Sequence, residues 1–400
     1  MKAQTQILGA VGDIGFLRTI SESMYANGAD WPFERVRADL ARADFLFGNM
    51  ESVMLPPDFP ARNLHPKALV CTMPGADQAG ALRRAGFDVL NMAANHVLDA
   101  GTRGLFNTRD HLRKAGIAVV GVGRTQVEAR RLVVVEKAGL RVGFLGYCEP
   151  NNCTLHTAGP THAHYDPAEV IRDVRRHRRS VDALVVSVHA DIEFMPTPSW
   201  PRREAGRRIA EAGASVVLMH HPHVPQGVER HRGSLIAYSL GNFIFPGHSM
   251  PYMAEHGPHT SDSLILLVEL SRRGVGGFER IPCVIQKPQE ERPVPAAGRE
   301  RARLLRYFDT LDRMVHDDRT VRRVWRDTVR DFLKGYIGII RNAPKADTDL
   351  LLEDVLPRML FVAEDRRVME EAAEMAREHW IRIVAGDNTY QRPGWRLGRR

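Results

Sequence analysis

Cysteine is scarce in this sequence, and long apolar runs are absent. The 400 residues include four cysteines, Cys71, Cys148, Cys153 and Cys283, and no two of them form a Cys-x-x-Cys pair. This pattern argues against a disulfide framework and is typical of free thiols in a reducing compartment. No run reaches the roughly 18 apolar residues of a membrane-spanning helix. The first residues lead into an apolar strand pattern without a secretory signal, so we expect a cytoplasmic protein.

Sequence signatures of several enzyme classes are also missing. There is no glycine-rich loop of the Gly-x-x-x-x-Gly-Lys type, no protein-kinase signature and no Gly-x-Ser-x-Gly elbow. A nucleotide-loop enzyme or a serine hydrolase is therefore not expected. Aromatic residues make up 7% of the chain, and no nucleic-acid-binding module is recognisable, so a nucleic acid partner is not expected either.

Basic residues exceed acidic ones and give the chain a formal net charge of +8. Arginines cluster in residues 172–179 and 202–208. Such clusters are consistent with the solvated faces of helices. They are also consistent with attraction of an anionic partner, either a small molecule or a polymer. The sequence leaves both interpretations open, and it does not indicate an oligomeric state.

Strand-like and helix-like patterns alternate over residues 1–290. Short runs rich in Val, Ile, Leu and Phe are separated by helical patterns, which predicts βαβ units and a mostly parallel sheet. Residues 216–285 contain several strand patterns and few helical ones, so a second, mixed sheet is expected. A stretch rich in Pro, Gln and charge follows at residues 286–300. Apolar residues then recur at helical spacing, which predicts a domain at residues 1–290 and a helical extension at residues 291–400.

Five polar segments, each following a predicted strand, carry carboxylate, amide and imidazole side chains. These are donor types that hold divalent cations in proteins. The carboxyl ends of parallel strands meet at one edge of a sheet, where ligand sites form in α/β proteins. The sequence therefore predicts a metal site built from several strands. The segments are Gly12-Asp13, Gly48-Asn49-Met50-Glu51, Ala94-Asn95-His96-Val97-Leu98-Asp99, Ser187-Val188-His189 and His220-His221-Pro222-His223.

The first three segments supply carboxylate and amide oxygens. Asp13 follows a buried strand, where it is either a ligand or the cap of a helix. Asn49 and Glu51 are alternate residues of an extended segment, so both are expected to face one site. The two oxygens of Glu51 suit it to bridge two cations. Asn95 offers an amide oxygen as a further ligand.

His96 and Asp99 are the candidate catalytic residues. The imidazole of His96 is suited to donate a proton to a leaving oxygen. Asp99 follows three residues later and either orients His96 or caps the next helix.

Imidazole ligands are expected from the last two segments. His189 follows an apolar strand, and Glu193, four residues later, is expected to support the ligands from behind. His221 and His223 form a His-x-His pair, which in an extended chain places both rings on one side. His220 is expected to point the other way.

Two long loops, at residues 149–166 and 246–262, contain further histidines. Loops of this length usually cover a site or move. Contact with substrate is one interpretation of these histidines, but an ordinary surface position is the preferred one for each. They are His156, His162, His164, His248, His256 and His259.

Longer stretches around these segments resemble the bacterial capsule synthesis proteins of the CapA type, which are linked to poly-γ-glutamate. The resemblance covers roughly residues 5–285, and its final stretch is especially typical of that family. The stretches are Gly12-Asp13, Gly48-Asn49-Met50-Glu51, residues 86–101, residues 221–229 and Tyr238-Ser239-Leu240-Gly241-Asn242-Phe243.

The CapA family is similar to calcineurin-like metallophosphoesterases. The resemblance therefore implies an α/β fold, a four-layer αββα sandwich of two mixed sheets, with a centre for two divalent metal ions. By this resemblance His96 matches the catalytic histidine, and Asn49 is a candidate for a further ligand. Mn, Fe, Zn and Co all suit such donors. The matching ligand positions are Asp13, Glu51, Asn95, His189, His221 and His223.

The sequence departs from the superfamily pattern at several positions. An Asp-x-His pattern is usual in the first segment, but the third position here is Gly15. Either one cation is then held weakly, or another group replaces the missing ligand. Ala94 stands where an Asn is common, and Ala190-Asp191 stand where Trp-Gly is common. Substrate contacts are therefore expected to differ.

Three functions are consistent with these features. The first, which we expect, is hydrolysis of a phosphoester, or of an amide such as a γ-glutamyl bond, by metal-activated water. The second is non-catalytic binding or handling of an anionic polymer such as poly-γ-glutamate, which the basic charge and the missing histidine favour. The third is a biosynthetic step on a soluble metabolite, using the same site.

Overall fold

Two mixed β-sheets face each other across an apolar interior. The computed structural model of this chain describes residues 5–60, 64, 68–71, 73–149, 161–285, 290–342 and 363–384. The chain divides into two units, Met1–Arg322 and Arg323–Arg400, and both sheets belong to the first.

Strands and helices are numbered here in chain order. The strands are β1 (Gln6–Ile14), β2 (Phe45–Met50), β3 (Val53–Met54), β4 (Val70–Cys71), β5 (Val89–Asn91), β6 (Ala118–Val120), β7 (Val122–Gly123), β8 (Val133–Lys137), β9 (Leu140–Cys148), β10 (Thr161–His162), β11 (Ala183–His189), β12 (Val216–His220), β13 (Val228–His231), β14 (Ser234–Ala237), β15 (Asn242–Ile244), β16 (Asp262–Ser271), β17 (Gly274–Ile285) and β18 (Pro293–Pro295). The α-helices are α1 (Thr19–Asn27), α2 (Arg37–Leu40), α3 (Gly75–Arg84), α4 (Gly101–Lys114), α5 (Gln126–Ala129), α6 (Pro167–His177), α7 (Trp200–Ala212), α8 (Pro251–Glu255), α9 (Gly298–His316), α10 (Asp318–Asn342) and α11 (Ala363–Val384). Short 3-10 turns lie at Trp31–Phe33 and Pro258–Ser261.

Both large sheets combine parallel and antiparallel pairs. The first has the order β18-β17-β16-β1-β2-β5-β6, and β15 pairs with the end of β1. Its parallel strands are β1, β2, β5, β6 and β15, while β16 to β18 run antiparallel to their neighbours. The second has the order β13-β14-β12-β11-β9-β8, with antiparallel pairs only at its two edges. A second mixed sheet is therefore confirmed, but residues 216–285 are divided between the two sheets. Strands β12 to β14 lie in the second sheet, whereas β15 to β17 lie in the first.

The central strands are apolar on both faces because each sheet is covered twice. Val185 of β11 enters the core between the sheets, while the next residue, Val186, enters the core beneath the helices. This alternation follows from the two-residue period of a strand. It explains why these strands read as continuous apolar runs in the sequence.

The apolar cores separate four layers. Between the sheets, the rings of Phe47 and Phe144 stack with centroids 6.0 Å apart. Helices α1 to α4 cover the outer face of the first sheet, where Leu82 of α3 is buried. Helices α6 and α7 bury Val170 and Ile209 against the outer face of the second sheet. This is the αββα sandwich that the resemblance implies, so the predicted fold class is confirmed.

Helix α9 packs on the sandwich although it lies beyond residue 290. Leu304 and Phe308 are buried in the core between the sheets. Asp312 accepts a hydrogen bond of 2.8 Å from the backbone N–H of Val228 and pairs with Arg280. The two units divide after Arg322, and the assignment of residues 1–290 and 291–400 to separate domains stays a prediction.

The second unit is helical throughout its described residues. It contains the remainder of α10 and all of α11, and the side chains of Trp325, Val329 and Val368 are buried in it. Arg326 forms an ion pair of 2.8 Å with Glu378. The predicted helices at residues 301–341 are confirmed, whereas parts of the predicted helix at residues 347–385 lie outside the described residues. No helix in the described ranges has both the length and the apolar character needed to cross a bilayer.

The arginine cluster on α7 is mostly internal. Arg203 is fully buried, donates from Nη1 to the carbonyl of Val315 at 2.9 Å and from Nη2 to Asp318 at 2.5 Å. Its guanidinium also lies 4.4 Å from the centre of the Trp200 ring. Arg203 therefore lies neither on a solvated helix face nor on a surface that could attract an anionic partner. Its contacts fasten α7 to the end of α9.

Replacement of Arg203 is expected to destabilise the first unit. Arg203→Lys keeps the charge but loses the planar fork that reaches two partners. We expect the free energy of unfolding in urea to fall by about 1–3 kcal/mol, since a buried carbonyl loses its donor. The control is Arg208→Lys at an exposed position of the same helix, which should leave stability unchanged. Equal stability of the two variants would contradict this account.

Candidate metal centre

The sequence segments that follow the strands meet at facing edges of the two sheets. In the first sheet, Asp13 of β1 lies beside Asn49 of β2. In the second, His189 of β11 lies beside His220 of β12. All of the predicted ligands are buried, namely Asp13, Asn49, Glu51, Asn95, His189, His221 and His223.

Glu51 is shared by two groups of donor atoms. One group is Asp13, Glu51 and His223, and the other is Glu51, His189 and His221; within each, the donor atoms lie within 4.8 Å of one another. Oε1 of Glu51 lies 3.5 Å from Nε2 of His223 and 3.7 Å from Nε2 of His189. These separations are too long for good hydrogen bonds. The carboxylate therefore faces imidazole nitrogens on two sides without bonding to either.

The unpaired carboxylate oxygens test whether metal ions fit this site. Oδ2 of Asp13 and both oxygens of Glu51 are buried and have no hydrogen-bond partner among the described residues. Burial of an ionised group without a partner is costly, and native proteins rarely leave such groups uncompensated. Imidazole nitrogens and carboxylate oxygens together suit a borderline divalent cation. The residues present therefore fit the group that the resemblance implies.

The electrostatics of the site are those of an uncompensated cluster. Burial raises the pKa of Asp13 to about 7, against the opposing effects of the Asn49 hydrogen bond and of His221. Burial, followed by the charge of Asp13, raises the pKa of Glu51 well above its usual value. Burial also lowers the pKa of His223 to about 4 and of His189 well below its usual range. Neutral imidazoles are the form that binds metals, so this environment favours the ligand state of both histidines.

Asn49 holds two other site residues in place. Its amide nitrogen donates to Oδ1 of Asp13 at 2.8 Å and to Nδ1 of His189 at 3.0 Å. Its amide oxygen accepts a hydrogen bond of 2.7 Å from Asn91. Asn49 thus links the two sheets, and an oxygen already bonded to Asn91 favours a positioning role over the predicted role as a ligand.

Asn91 is a site residue that the sequence analysis missed. It is the last residue of β5, and its own oxygen accepts a hydrogen bond from the backbone of Ala93. A Cβ at Gly146 of β9 would lie 2.1 Å from that oxygen. The absence of a side chain at Gly146 is what lets Asn91 reach across. The signals in the sequence were its position at the end of an apolar run and its place in residues 86–101, which carry the family resemblance.

Asn95 and His189 bond to each other beside Glu51. Nε2 of His189 lies 2.9 Å from Oδ1 of Asn95, the geometry of an N–H···O hydrogen bond. The same nitrogen faces Glu51. The amide oxygen and the imidazole thus point at one place, as the predicted ligand pair requires.

His96 and Asp99 form a hydrogen-bonded pair at the edge of the cluster. Nδ1 of His96 lies 2.7 Å from Oδ2 of Asp99, and the backbone N–H of Leu69 donates to the same oxygen. Helix α4 begins at Gly101, and its N-cap residue is Ala100. Asp99 therefore orients His96 and does not cap the helix, which decides between the two predicted alternatives. With Nδ1 engaged by Asp99, Nε2 is the ring nitrogen suited to proton transfer.

The turn that carries His221 and His223 differs from the prediction. An extended chain was expected, but both residues have left-handed backbone angles, with φ of 100° and 58°. Asp191 and Phe194, on the neighbouring loop, are left-handed as well, with φ of 104° and 63°. Such conformations cost about 1–3 kcal/mol each in non-glycine residues and cluster at functional sites. The two imidazoles converge because the backbone turns sharply, not because alternate residues of a strand share a face.

His220 is enclosed between the sheets. Its Nδ1 lies 3.6 Å from Oδ1 of Asp13, and burial lowers its pKa to about 3. It belongs to none of the donor groups found in the described residues. It is therefore a neutral ring packed beside Asp13 in the interior of the site.

Asn242 is a second residue without a predicted role. Its Oδ1 accepts a hydrogen bond of 2.9 Å from Nδ1 of His223, and its Nδ2 donates to the carbonyl of Thr260. The bond fixes the His223 tautomer, so that Nε2 points at Glu51. Asn242 lies in the Tyr-Ser-Leu-Gly-Asn-Phe stretch that carries the family resemblance, which was the available signal.

Glu193 is closer to the site than expected. It forms a third donor group with His221 and His223, and its Oε1 lies 3.8 Å from Nε2 of His223. Burial raises the pKa of Glu193, but the two histidines and a hydrogen bond from Tyr252 outweigh it, so the pKa is lowered overall. The carboxylate therefore stays ionised beside the imidazoles.

The loop histidines are not all at the surface. His162 is fully buried, which corrects the preferred interpretation for that residue. His164 and His248 are half-buried and His256 is exposed. His156 lies outside the described residues.

Comparison with known proteins shows the family. The family model described as bacterial capsule synthesis protein PGA_cap matches residues 7–247. This chain belongs to that family. The match covers β1 to β15 and with them the whole candidate metal centre.

Several curated proteins are similar over much of their length. The chain is 28% identical over 290 residues to the PGA biosynthesis protein CapA of Bacillus subtilis, covering 71% of this chain and 72% of that one. It is 29% identical over 299 residues to the capsule biosynthesis protein CapA of Bacillus anthracis, covering 72% and 69%. A probable polyglutamine synthesis accessory protein of Mycobacterium tuberculosis is 27% identical over 188 residues, covering 44% and 50%.

Solved structures show more distant likeness. A hypothetical protein from Thermus thermophilus aligns with a TM-score of 0.42 and 14% identity, covering 69% of this chain and 98% of that one. A 5'-nucleotidase from Candida albicans aligns with a TM-score of 0.39 and 11% identity, covering 81% and 57%. The αββα assignment rests on this chain's own strand order and cores.

Replacement of Gly12 is expected to disrupt the centre. A Cβ at this position would lie 1.8 Å from the carbonyl oxygen of Gly241, so β1 and the stretch leading into β15 would have to separate. We expect Gly12→Ala to lower the free energy of unfolding by about 2 kcal/mol or more and to weaken Mn²⁺ binding. Gly335→Ala is the control, because a Cβ there meets nothing within 4 Å. Wild-type stability of Gly12→Ala would contradict the close approach.

Loss of the Asn242 side chain is expected to weaken metal binding without unfolding the protein. Asn242→Ala leaves His223 in place but frees its ring to rotate. We expect the dissociation constant for Mn²⁺, measured by equilibrium dialysis, to rise by about 10–100-fold. Asn27→Ala, at an exposed site, should bind as the wild type does. Unchanged affinity in Asn242→Ala would show that His223 does not depend on this bond.

Proposed function

We propose that this protein is a metal-dependent hydrolase that cleaves a phosphoester or a γ-glutamyl-type amide during capsule synthesis. The observation that carries the proposal is the position of Glu51. Its carboxylate is shared by two donor groups and has no hydrogen bond within the described part of the chain. A carboxylate so placed is suited to bridge two cations.

The proposed ligand set follows the geometry. Asp13, Glu51 and His223 would hold one ion, and Glu51, Asn95, His189 and His221 would hold the other. Asn49 is left out because its oxygen is bonded to Asn91, which is outside the ligand set. The oxygen of Asn95 is bonded to His189, which is itself a proposed ligand. Divalent ions such as Mn, Fe, Zn or Co in such a site lower the pKa of water and offset negative charge on the reacting oxygens.

His96 is the proposed proton donor. Its charge acts on the pKa of Glu51, His189 and His223, which supports a position facing the cluster. Asp99 holds the proton on Nδ1 and fixes the ring, so Nε2 is the atom that would protonate the leaving oxygen or nitrogen. In this proposal the carboxylate of Asp99 orients the imidazole of His96 and keeps its tautomer fixed, as the carboxylate does in the carboxylate–histidine pairs of other hydrolases.

The substrate class is proposed from the family and from the chemistry together. The family description and the names of the Bacillus relatives refer to capsule or PGA biosynthesis. Water activated between two cations attacks phosphorus and carbonyl centres alike. A bond within poly-γ-glutamate, or a phosphoester formed during its synthesis, is therefore the proposed target.

Binding of an anionic polymer without catalysis is the competing function, favoured by the net charge of +8. The structure weakens one part of that argument. Arg202, Arg203 and Arg207 form ion pairs with Glu149, Asp318 and Glu229 respectively, and the first two are buried. Several arginines of the two clusters remain exposed and are available for polymer binding, namely Arg172, Arg175, Arg176, Arg178, Arg179 and Arg208.

Loss of His96 is expected to abolish turnover while metal is retained. The full chain, loaded with Mn²⁺ or Zn²⁺, would be assayed on bis(p-nitrophenyl) phosphate, on γ-glutamyl p-nitroanilide and on poly-γ-glutamate. We expect His96→Ala to lower kcat by about 10²–10⁴-fold at unchanged metal content. Asp99→Asn should give a smaller loss.

The control is His177→Ala on α6, on the outer side of the second sheet, which should retain full activity. Two results together would replace the hydrolase proposal by the binding protein. The metal-loaded wild type would turn over none of these substrates, and both the wild type and His221→Ala would bind poly-γ-glutamate in a salt-sensitive way.

A further inference from the structure

One side of the candidate centre has fewer protein ligands than the other. The side of His189 has four donors, which are Glu51, Asn95, His189 and His221. The side of Asp13 has three, because Gly15 stands where an imidazole is usual. A Cβ at Gly15 would meet the ring of Phe245 at 3.1 Å, so an apolar side chain fills that place. Phe245 in turn lies against His223, with ring centroids 5.0 Å apart.

The carboxylate of Glu193 lies close to a ligand of this poorer side. Oε1 of Glu193 lies 3.8 Å from Nε2 of His223, the same nitrogen that faces Glu51 at 3.5 Å. Donor atoms of Glu193, His221 and His223 lie within 4.8 Å of one another. Two carboxylates therefore lie close to the same imidazole nitrogen.

The backbone around Glu193 is held in an unusual conformation. Asp191 and Phe194, on either side of it, have positive φ, and the N–H of Phe194 donates to the carbonyl of Pro222 at 2.9 Å. Oδ2 of Asp191 accepts a hydrogen bond from the N–H of Ser199. The loop of Glu193 is thus fastened directly to the turn that carries His221 and His223. Strain of this kind persists where the surrounding structure requires a fixed side-chain position.

Tyr252 of α8 holds the carboxylate from outside. Its hydroxyl donates to Oε2 of Glu193, which leaves Oε1 directed at His223. The ring of Phe194 lies between α8 and the site, 5.3 Å from Tyr252 and stacked on His256 at 4.6 Å. A hydroxyl bonded to one oxygen of a carboxylate orients the other, as groups behind metal ligands do.

The segment that carries Tyr252 is itself anchored. The backbone N–H groups of His248 and Ser249 donate to Oε1 of the buried Glu291, at 2.7 and 2.6 Å. At its other end, Asp262 accepts a hydrogen bond from His259 and pairs with Arg303. Residues 248–262 therefore hold the Tyr252 hydroxyl at a fixed place over the site.

We propose that Glu193 is a metal ligand on the Asp13 side of the centre, where it supplies the donor that Gly15 does not, and that Tyr252 is its positioning residue. This inference rests on the proposed function, since it takes the two-ion centre as given. It replaces the expectation that Glu193 supports the ligands from behind. Mn²⁺ and Zn²⁺ both accept a carboxylate ligand in place of an imidazole ligand.

The test counts metal ions on the full chain. Apoprotein would be dialysed against graded Mn²⁺, and bound metal measured by elemental analysis, with folding checked by circular dichroism. Wild type is expected to bind two ions per chain. Glu193→Gln, which keeps size and shape, should retain one ion at wild-type affinity and bind the second at least 10-fold more weakly. Tyr252→Phe should weaken only the second ion, by several-fold, and Glu255→Gln, exposed on the same helix, should change neither.

Double variants identify which ion is affected. Asp13→Asn combined with Glu193→Gln should lose no more metal than Asp13→Asn alone, because both residues serve one ion. His189→Ala combined with Glu193→Gln should lose both ions. The electron paramagnetic resonance spectrum of bound Mn²⁺ gives a second readout, since a coupled pair in the wild type should become a mononuclear signal in Glu193→Gln.

Three outcomes would overturn the inference and are distinguishable from one another. Two ions bound with wild-type affinity by Glu193→Gln would remove Glu193 from the ligand set. Loss of the His189-side ion would instead assign Glu193 to the other ion, as its grouping with His221 allows. Either result overturns the inference and leaves the proposed hydrolase intact. A wild type that binds no metal at all would overturn the proposed function and this inference together.

Discussion

Two carboxylates, Asp13 and Glu51, are buried beside each other, and the arrangement around them follows from that constraint. The carboxylate of Glu51 makes no hydrogen bond within the described chain, and burial and the charge of Asp13 both raise its pKa. A folded protein tolerates such a pair when positive charge offsets it. Imidazoles made neutral by burial do not supply that charge by themselves, whereas a divalent cation held between the two residue types would.

Holding these groups together requires both sheets. Asn91 bonds to Asn49, and Asn49 bonds in turn to Asp13 of the first sheet and His189 of the second. The chain of amides crosses the gap between the sheets at their facing edges. Asn242 of β15 lies at the same edge, where it pairs with Asp13 of β1, and its hydrogen bond fixes the ring of His223. Stability of the sandwich and geometry of the centre are thus coupled.

Regions outside the sandwich strands contribute in two ways. Buried Arg203 ties α7 to the end of α9, and the apolar face of α9 completes the core between the sheets. Glu291 fastens the segment that carries Tyr252 over the site. Residues beyond the predicted boundary at 290 therefore serve the first unit directly. Their contacts join positions far apart in the chain, which makes them invisible to local pattern analysis.

The sequence pattern by itself predicted a second mixed sheet and the polar residues that follow strand ends, because strand periodicity and the shared edge of parallel strands are local rules. The four layers were implied by the family resemblance and not by the pattern. The pattern placed Asp13, Glu51 and His189 at one site and left Asp99 with two roles. Tertiary structure alone decided that Asp99 orients His96, that Asn49 positions other residues, and that Glu193 faces His223. The contact of Glu193 depends on loops with left-handed backbone, and no spacing in the sequence encodes a sharp turn at non-glycine residues. The roles of Asp99 and Asn49 depend on which side-chain atoms come within hydrogen-bond distance in the folded chain.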